Sequence, residues 1–120
     1  MFAGKYKLDN LVCIMDRNNI QIDGTTEEIM PLEPLADKYT AFNWNVININ
    51  GNNIREIIDA VELAKTTTEK PTLILANTVP GKGITAIEND YKWHGTPPSK
   101  EQAALWISEL QASYDALQNV

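Results

Sequence analysis

A chain of 120 residues with 43% hydrophobic and 22% charged side chains has the make-up of one small globular domain. Sixteen acidic against ten basic residues leave a net charge of −6, which speaks against nucleic acid or an anionic membrane as partner, because both draw on clustered Lys and Arg. The single cysteine, Cys13, excludes an internal disulfide or a cysteine-built zinc site and reads as a core residue in a reducing cytoplasm, and no apolar run approaches the ~18 residues of a membrane span.

The first predicted element is the run Leu11-Val-Cys-Ile-Met15. It is unbroken by polar residues, as strands are when both faces of a parallel sheet are covered. Residues Asp16 to Pro34 follow as a long connection with little apolar content. Leu35, Ala36, Tyr39 and Phe42 then recur at helical spacing and predict a short helix. Val46-Ile-Asn-Ile49 is the second strand. Asn53 with Glu56 three places on has the spacing of a capping box. It opens a helix whose apolar face is Ile54, Ile57, Ile58, Val61 and Ala64, ending near Lys65. Thr72-Leu-Ile-Leu-Ala76, entered through Pro71, is the third strand. A second long connection, Asn77 to Pro98, is rich in Gly and Pro. The last helix opens at Ser99, with Gln102 at capping-box spacing. Its apolar face is Ala103, Trp106, Ile107, Leu110, Tyr114 and Leu117.

Strands alternating with helices predict an α/β fold: a partial parallel sheet with flanking helices, residues 1–120 forming a single domain. Both long connections leave the carboxyl end of a strand. Loops of that length in a compact domain are usually functional or disordered, and that end of an open α/β sheet is where ligands bind.

The first connection contains Asp16-Arg-Asn-Asn-Ile-Gln-Ile-Asp-Gly24. The side-chain oxygen of Asn18 and the backbone carbonyl of Ile20 are neutral oxygens of the kind that Mg²⁺ takes, together with phosphate oxygens. The same run also reads as a polar turn closed by Asp23-Gly24. The second connection contains Gly81-Lys-Gly83, which suits close backbone approach to an anion with Lys82 as a point charge. The Walker A spacing is absent, as is the Gly-x-Gly-x-x-Gly of a dinucleotide fold. His94, the only histidine, can contact a phosphate or sugar oxygen and move protons near neutral pH. A lone histidine beside Trp93 is more often a structural hydrogen-bonder. No Ser/His/Asp or Cys/His triad is supported.

Taken together, Lys7-Leu-Asp-Asn-Leu, Asp16-Arg-Asn-Asn-Ile-Gln-Ile-Asp-Gly24, Met30-Pro-Leu-Glu-Pro-Leu35, Gly81-Lys-Gly-Ile84 and Trp93-His-Gly95 resemble the transketolase family. The likeness is to the C-terminal half of its thiamine-diphosphate-binding domain, as in the N-terminal subunit of two-subunit transketolases. It runs from about Met1 to Leu110. The resemblance implies half of a thiamine-diphosphate-binding fold, with Asn18 and the Ile20 carbonyl as metal and cofactor ligands. It implies that His94 contacts the diphosphate and the substrate sugar, as the residue with a catalytic part. Pro80 stands where many relatives carry a cofactor-side Lys, and Lys82 is the nearby cation.

In the family a Gly-Asp-Gly upstream of these motifs supplies the metal's carboxylate, and a separate pyrimidine domain supplies the activating Glu. The sequence starts past that point. The expectation is therefore a transketolase component in the cytoplasm, completed by a companion transketolase chain, with a homo-oligomer as the other expected assembly. With thiamine diphosphate and Mg²⁺ it would transfer a two-carbon ketol unit between sugar phosphates. The alternative is a non-catalytic module that folds and oligomerises. On either reading the isolated chain is expected to be inactive.

Overall fold

The computed structural model describes residues 1–118. Its elements run α1 (Phe2–Lys5), β1 (Val12–Arg17), β2 (Ile20–Gln21), β3 (Gly24–Thr25), α2 (Thr26–Ile29), α3 (Leu35–Ala41), β4 (Asn45–Asn50), α4 (Ile54–Thr66), β5 (Thr72–Asn77), a 3-10 turn (Tyr91–Trp93) and α5 (Lys100–Gln118). The three long strands form one parallel sheet in the order β1-β5-β4, so the last strand inserts between the first two. Ile14 lies beside Ile74, which lies beside Ile47.

The central position explains the apolar sequence of β5. Thr72, Leu73 and Ile74 are fully buried, and Leu75 and Ala76 nearly so. Successive side chains point to opposite faces. Ile74 and Ala76 join Ile49 and Ala60 in a core that Ile47, Ile57 and Val61 extend, so one face of β4 and β5 is covered by α4. α3 also packs on β4. α1 lies against the end of α3, and a Cβ at Gly4 would fall 2.0 Å from the Phe42 carbonyl oxygen. Only glycine allows that approach.

The expectation of strands covered on both faces holds for β5 but not for β1. Val12 and Ile14 are 39% and 56% exposed, on a strand whose outer edge has no partner among the described residues. α4 packs mainly on β4 and β5. β4 is likewise an edge strand.

The helix starts follow their capping residues. The Asn53 side chain accepts the Arg55 and Glu56 amides at 3.0 and 3.4 Å. The Glu56 carboxylate turns to the Asn50 amide (2.7 Å) instead of closing a reciprocal box. Ser99 and Gln102 do close one, at 3.2 and 2.8 Å. α5 buries none of its residues: Ala103 and Trp106 are half-buried, whereas Ile107, Leu110, Tyr114 and Leu117 remain exposed. Among the described residues, no helix is long and apolar enough to cross a membrane.

Candidate functional site

Both long connections leave the same end of the sheet, because β1 and β5 are parallel neighbours in register to their last residues, Arg17 and Asn77. The Thr78 amide donates to the Arg17 carbonyl (3.2 Å), and the Thr78 hydroxyl donates to the Asp16 carboxylate, so the two connections start side by side.

The first connection is more structured than its sequence suggests. β2 and β3 form a small antiparallel hairpin, and α2 follows with a capping box between Thr25 and Glu28. Asn18 accepts the Ile20 amide on its side-chain oxygen at 3.1 Å, a local Asx-type turn. Asn19 takes a left-handed φ of 62°, which Asn tolerates better than most residues. The Thr26 amide bonds the Asn19 carbonyl at 2.9 Å, and Gln21 pairs with Gly24. Hydrogen-bonded and non-hydrogen-bonded pairs alternate along an antiparallel ladder, so Ile20 opposite Thr25 is of the second kind. Its carbonyl therefore points away from the hairpin and is free of the ladder.

Arg17 ends β1 and is only 4% exposed. Its guanidinium donates to the Thr26 hydroxyl (2.8 Å), Glu27 (2.8 Å) and Glu33 (3.1 Å). The Glu33 carboxyl is held below its ordinary value of 4.5, first by the Leu35 amide it accepts and then by Arg17. A carboxyl depressed in the folded state stabilises the fold above its unfolded value, and that contribution disappears as pH falls through the folded value. The difference in Tm between wild type and Glu33→Gln at neutral pH is thus expected to close below pH 4.5. A difference that persists unchanged in acid would contradict this origin.

The second connection is fixed by short-range bonds. The Asn52 side chain takes the Val79 amide (2.8 Å), and the Asn89 amide returns to the Pro80 carbonyl (3.0 Å). Gly81 and Gly83 sit at φ of 74° and 100°, while Ile84 is buried as an anchor. Asp90 caps the 3-10 turn by accepting the Lys92 amide at 3.0 Å, and the His94 amide closes it on the Tyr91 carbonyl at 2.9 Å. Trp93 meets Trp106 of α5 edge-on, with centroids 5.2 Å apart. The hairpin strand β3 packs against this turn.

Between the two connections lies a cleft of about 200 Å³ lined by Asn18, Ile20, Pro80, Gly81, Ile87, Asp90, Trp93 and His94. Three of the four residues singled out in the sequence, Asn18, Ile20 and His94, come together there. Lys82 is not among the lining residues. Its ammonium pairs with Glu88 at 3.3 Å, and the same Glu88 oxygen accepts the Gly83 amide at 3.0 Å. The Glu88 carboxyl is held below its ordinary range by that amide first and by Lys82 second. Sequence reasoning assigned no role to Ile87, Asp90 or Trp93. Trp93 belongs to the quoted His94 motif and Asp90 lies just ahead of it, but the cap of the 3-10 turn that places them carries no periodicity.

No group of three His, Cys, Asp or Glu side chains among the described residues could hold a metal ion by itself. What the cleft offers is a neutral amide oxygen at Asn18, an outward carbonyl at Ile20, one carboxylate at Asp90 and one imidazole at His94. A hard cation takes about six oxygens and draws several of them from phosphate groups and water. This donor set fits one side of a Mg²⁺–diphosphate pair.

Comparison with known proteins bears on the family and the fold. The family model for the transketolase thiamine diphosphate binding domain matches residues 1–115. The chain is 42% identical to an apulose-4-phosphate transketolase subunit of Phocaeicola vulgatus, over 98% of this chain and 42% of that protein. It is 46% identical to the 6-deoxy-6-sulfo-D-fructose transketolase subunit SqwG of a Clostridium species, over 92% of this chain and 40% of that protein. The chain thus spans about two fifths of the length of these curated relatives. Among solved structures, the transketolase of Campylobacter jejuni superposes with a TM-score of 0.80 at 36% identity, covering 93% of this chain and 17% of that one. The transketolase of Leishmania mexicana gives 0.82 at 30% identity, covering 92% and 16%. With a family match over nearly its whole length and the same fold in solved relatives, the chain belongs to the transketolase family, in its thiamine diphosphate-binding domain.

Proposed function

We propose that this chain forms one wall of the thiamine diphosphate site of a transketolase, and that ketol transfer between sugar phosphates requires a second polypeptide to complete that site. The observation that carries the reading is the meeting of Asn18, Ile20 and His94, from two separate connections, in one cleft at the carboxyl end of a parallel sheet. Two relatives, from Phocaeicola vulgatus and Actinobacillus succinogenes, are themselves named as single subunits of an apulose-4-phosphate transketolase, which supports an arrangement of more than one chain.

In this reading the Asn18 side chain and the Ile20 carbonyl hold one side of Mg²⁺. His94 donates to a diphosphate or sugar oxygen, and Trp93 and Ile87 exclude water from the wall. Thiamine diphosphate, when bound, supplies the nucleophilic carbon and the electron sink of the transfer. The chain's own share is to bind and orient. With Lys82 engaged by Glu88, the residues lining the cleft include no Lys or Arg to offset a diphosphate. The metal ion and the companion chain would supply that charge.

Isolated chain is expected to show no transfer from xylulose 5-phosphate to ribose 5-phosphate. By titration calorimetry with Mg²⁺ and thiamine diphosphate, the assembled protein should bind at least about tenfold more tightly than the chain alone. Asn18→Ala in the assembly should weaken that binding about tenfold or more, because a direct metal contact is lost. Robust turnover by pure chain, or an Asn18→Ala assembly that binds as wild type does, would overturn the reading.

A further inference from the structure

We propose that Arg17 is a positioning residue for the cleft: through Thr26, its buried guanidinium fixes the Asn18-Asn19-Ile20 turn in the conformation that presents the Asn18 side chain and the Ile20 carbonyl. This rests on the reading above that those two oxygens are ligands.

A guanidinium at 4% exposure is costly to place, and an apolar side chain of similar volume would fill the same space at least as well. What an apolar side chain cannot do is direct a hydroxyl. Arg17 Nη1 donates to the Thr26 oxygen at 2.8 Å, and that hydroxyl lies 3.4 Å from the Asn19 carbonyl. A threonine hydroxyl has one proton to give. With Arg17 on its acceptor side, that proton is turned to Asn19. The Thr26 amide reaches the same carbonyl at 2.9 Å, so Asn19 is held twice by one residue. Asn19 needs the grip, because its φ of 62° is a conformation that costs an L-residue about 1–2 kcal/mol unless local bonds favour it. With Asn19 fixed, Asn18 closes on the Ile20 amide and the Ile20 carbonyl faces out of the hairpin.

The far side of the clamp is anchored on a regular element. Nε and Nη2 of Arg17 approach Glu33 Oε1 at 3.1 and 3.0 Å, while Glu33 Oε2 accepts the first amide of α3 at 2.8 Å. The turn is thereby tied to a helix that packs on the sheet. A ligand turn held this way is set before the ligand arrives, which is how supporting contacts raise affinity.

The test uses the assembled protein with Mg²⁺ and thiamine diphosphate as probe, read by titration calorimetry, and amide hydrogen exchange as a second readout. Arg17→Met should weaken cofactor affinity about tenfold. It should also speed exchange at the Ile20 and Thr26 amides by about tenfold while leaving Ile74 in the sheet unchanged. Arg17→Lys, which keeps the charge but not the fork, should recover only part of both. Should Arg17→Met not fold, Thr26→Val leaves both carboxylate contacts of Arg17 in place, removes only the hydroxyl relay, and carries the same expectation at several-fold size. Wild-type affinity in the Arg17 and Thr26 variants, with affinity lost in Asn18→Ala, would overturn the role of Arg17 and leave the site reading standing. Full affinity in Asn18→Ala would overturn both.

Discussion

Replacing Ile74 by Ala is expected to lower the stability of the fold by about 3–4 kcal/mol. Ile74 is fully buried at the centre of the cluster formed with Ile49, Ala60 and Ala76, and α4 closes over it. Its neighbours Ala60 and Ala76 are short, so little side chain is available to collapse into the space left behind. Domains have a total stability of about 5–15 kcal/mol, and a chain of this size sits in the lower part of that range. The Tm should fall by roughly 15 °C. Ile14 supplies the internal contrast: it lies beside Ile74 in register but is 56% exposed. Ile14→Ala should cost less than about 1 kcal/mol, since most of that side chain never leaves water. Equal losses in urea unfolding of the two variants would show that α4 is not what separates them.

Gly81→Ala is expected to cost about 2–4 kcal/mol, confined to the connection that carries His94. Two costs add. A φ of 74° is left-handed, where a side chain is strained by about 1–2 kcal/mol. The new Cβ would also lie 2.8 Å from Ile87 Cγ1 and 2.9 Å from the Ile87 carbonyl oxygen. The first contact is a side chain that can turn; the second is backbone, held because the Ile87 amide bonds Ile84 and the Asp90 amide bonds Ile87. Relief must come from opening the segment between Pro80 and Asp90. Gly81 and Ile87 both line the cleft, so the opening deforms the cavity itself. Hydrogen exchange should rise at the Asn89 and His94 amides and stay level across β5. Uniform acceleration over the sheet would mean that the strain spreads instead of being absorbed locally.

The elements that could be read from the sequence are those whose signals are local. β5 announces itself by an unbroken apolar run, α5 by the Ser99–Gln102 pair, and α4 by Asn53 and by Ile57, Val61 and Ala64 of its predicted apolar face, whose Ile54 and Ile58 stay exposed while Ala60 joins the core. The uncovered face of β1 was not legible, because an apolar run does not say what covers it. The hairpin of Ile20–Gln21 with Gly24–Thr25 was missed because two-residue strands have no period to detect. The Asp23-Gly24 dipeptide, where the turn at Ile22-Asp23 enters β3, and the Thr25–Glu28 capping box were the available clues. Asn18, Ile20 and His94 could be named from their motifs, but their meeting depends on β5 lying next to β1, a fact of strand order and not of spacing. Lys82 shows the opposite limit. One residue from a lining glycine, it turns away because Glu88 lies within reach, and only coordinates reveal that choice.

The edge-on contact of Trp93 with Trp106 makes the cleft optically self-reporting. One indole of the pair lines the cavity, so any molecule that fills it alters the surroundings of a coupled chromophore. The third indole, Trp44, meets Tyr39 just ahead of β4, at the opposite end of the parallel strands, and supplies a constant background. Emission and near-ultraviolet dichroism of the unlabelled protein therefore follow occupancy directly, with no dye, tag or coupled assay between the event and its signal.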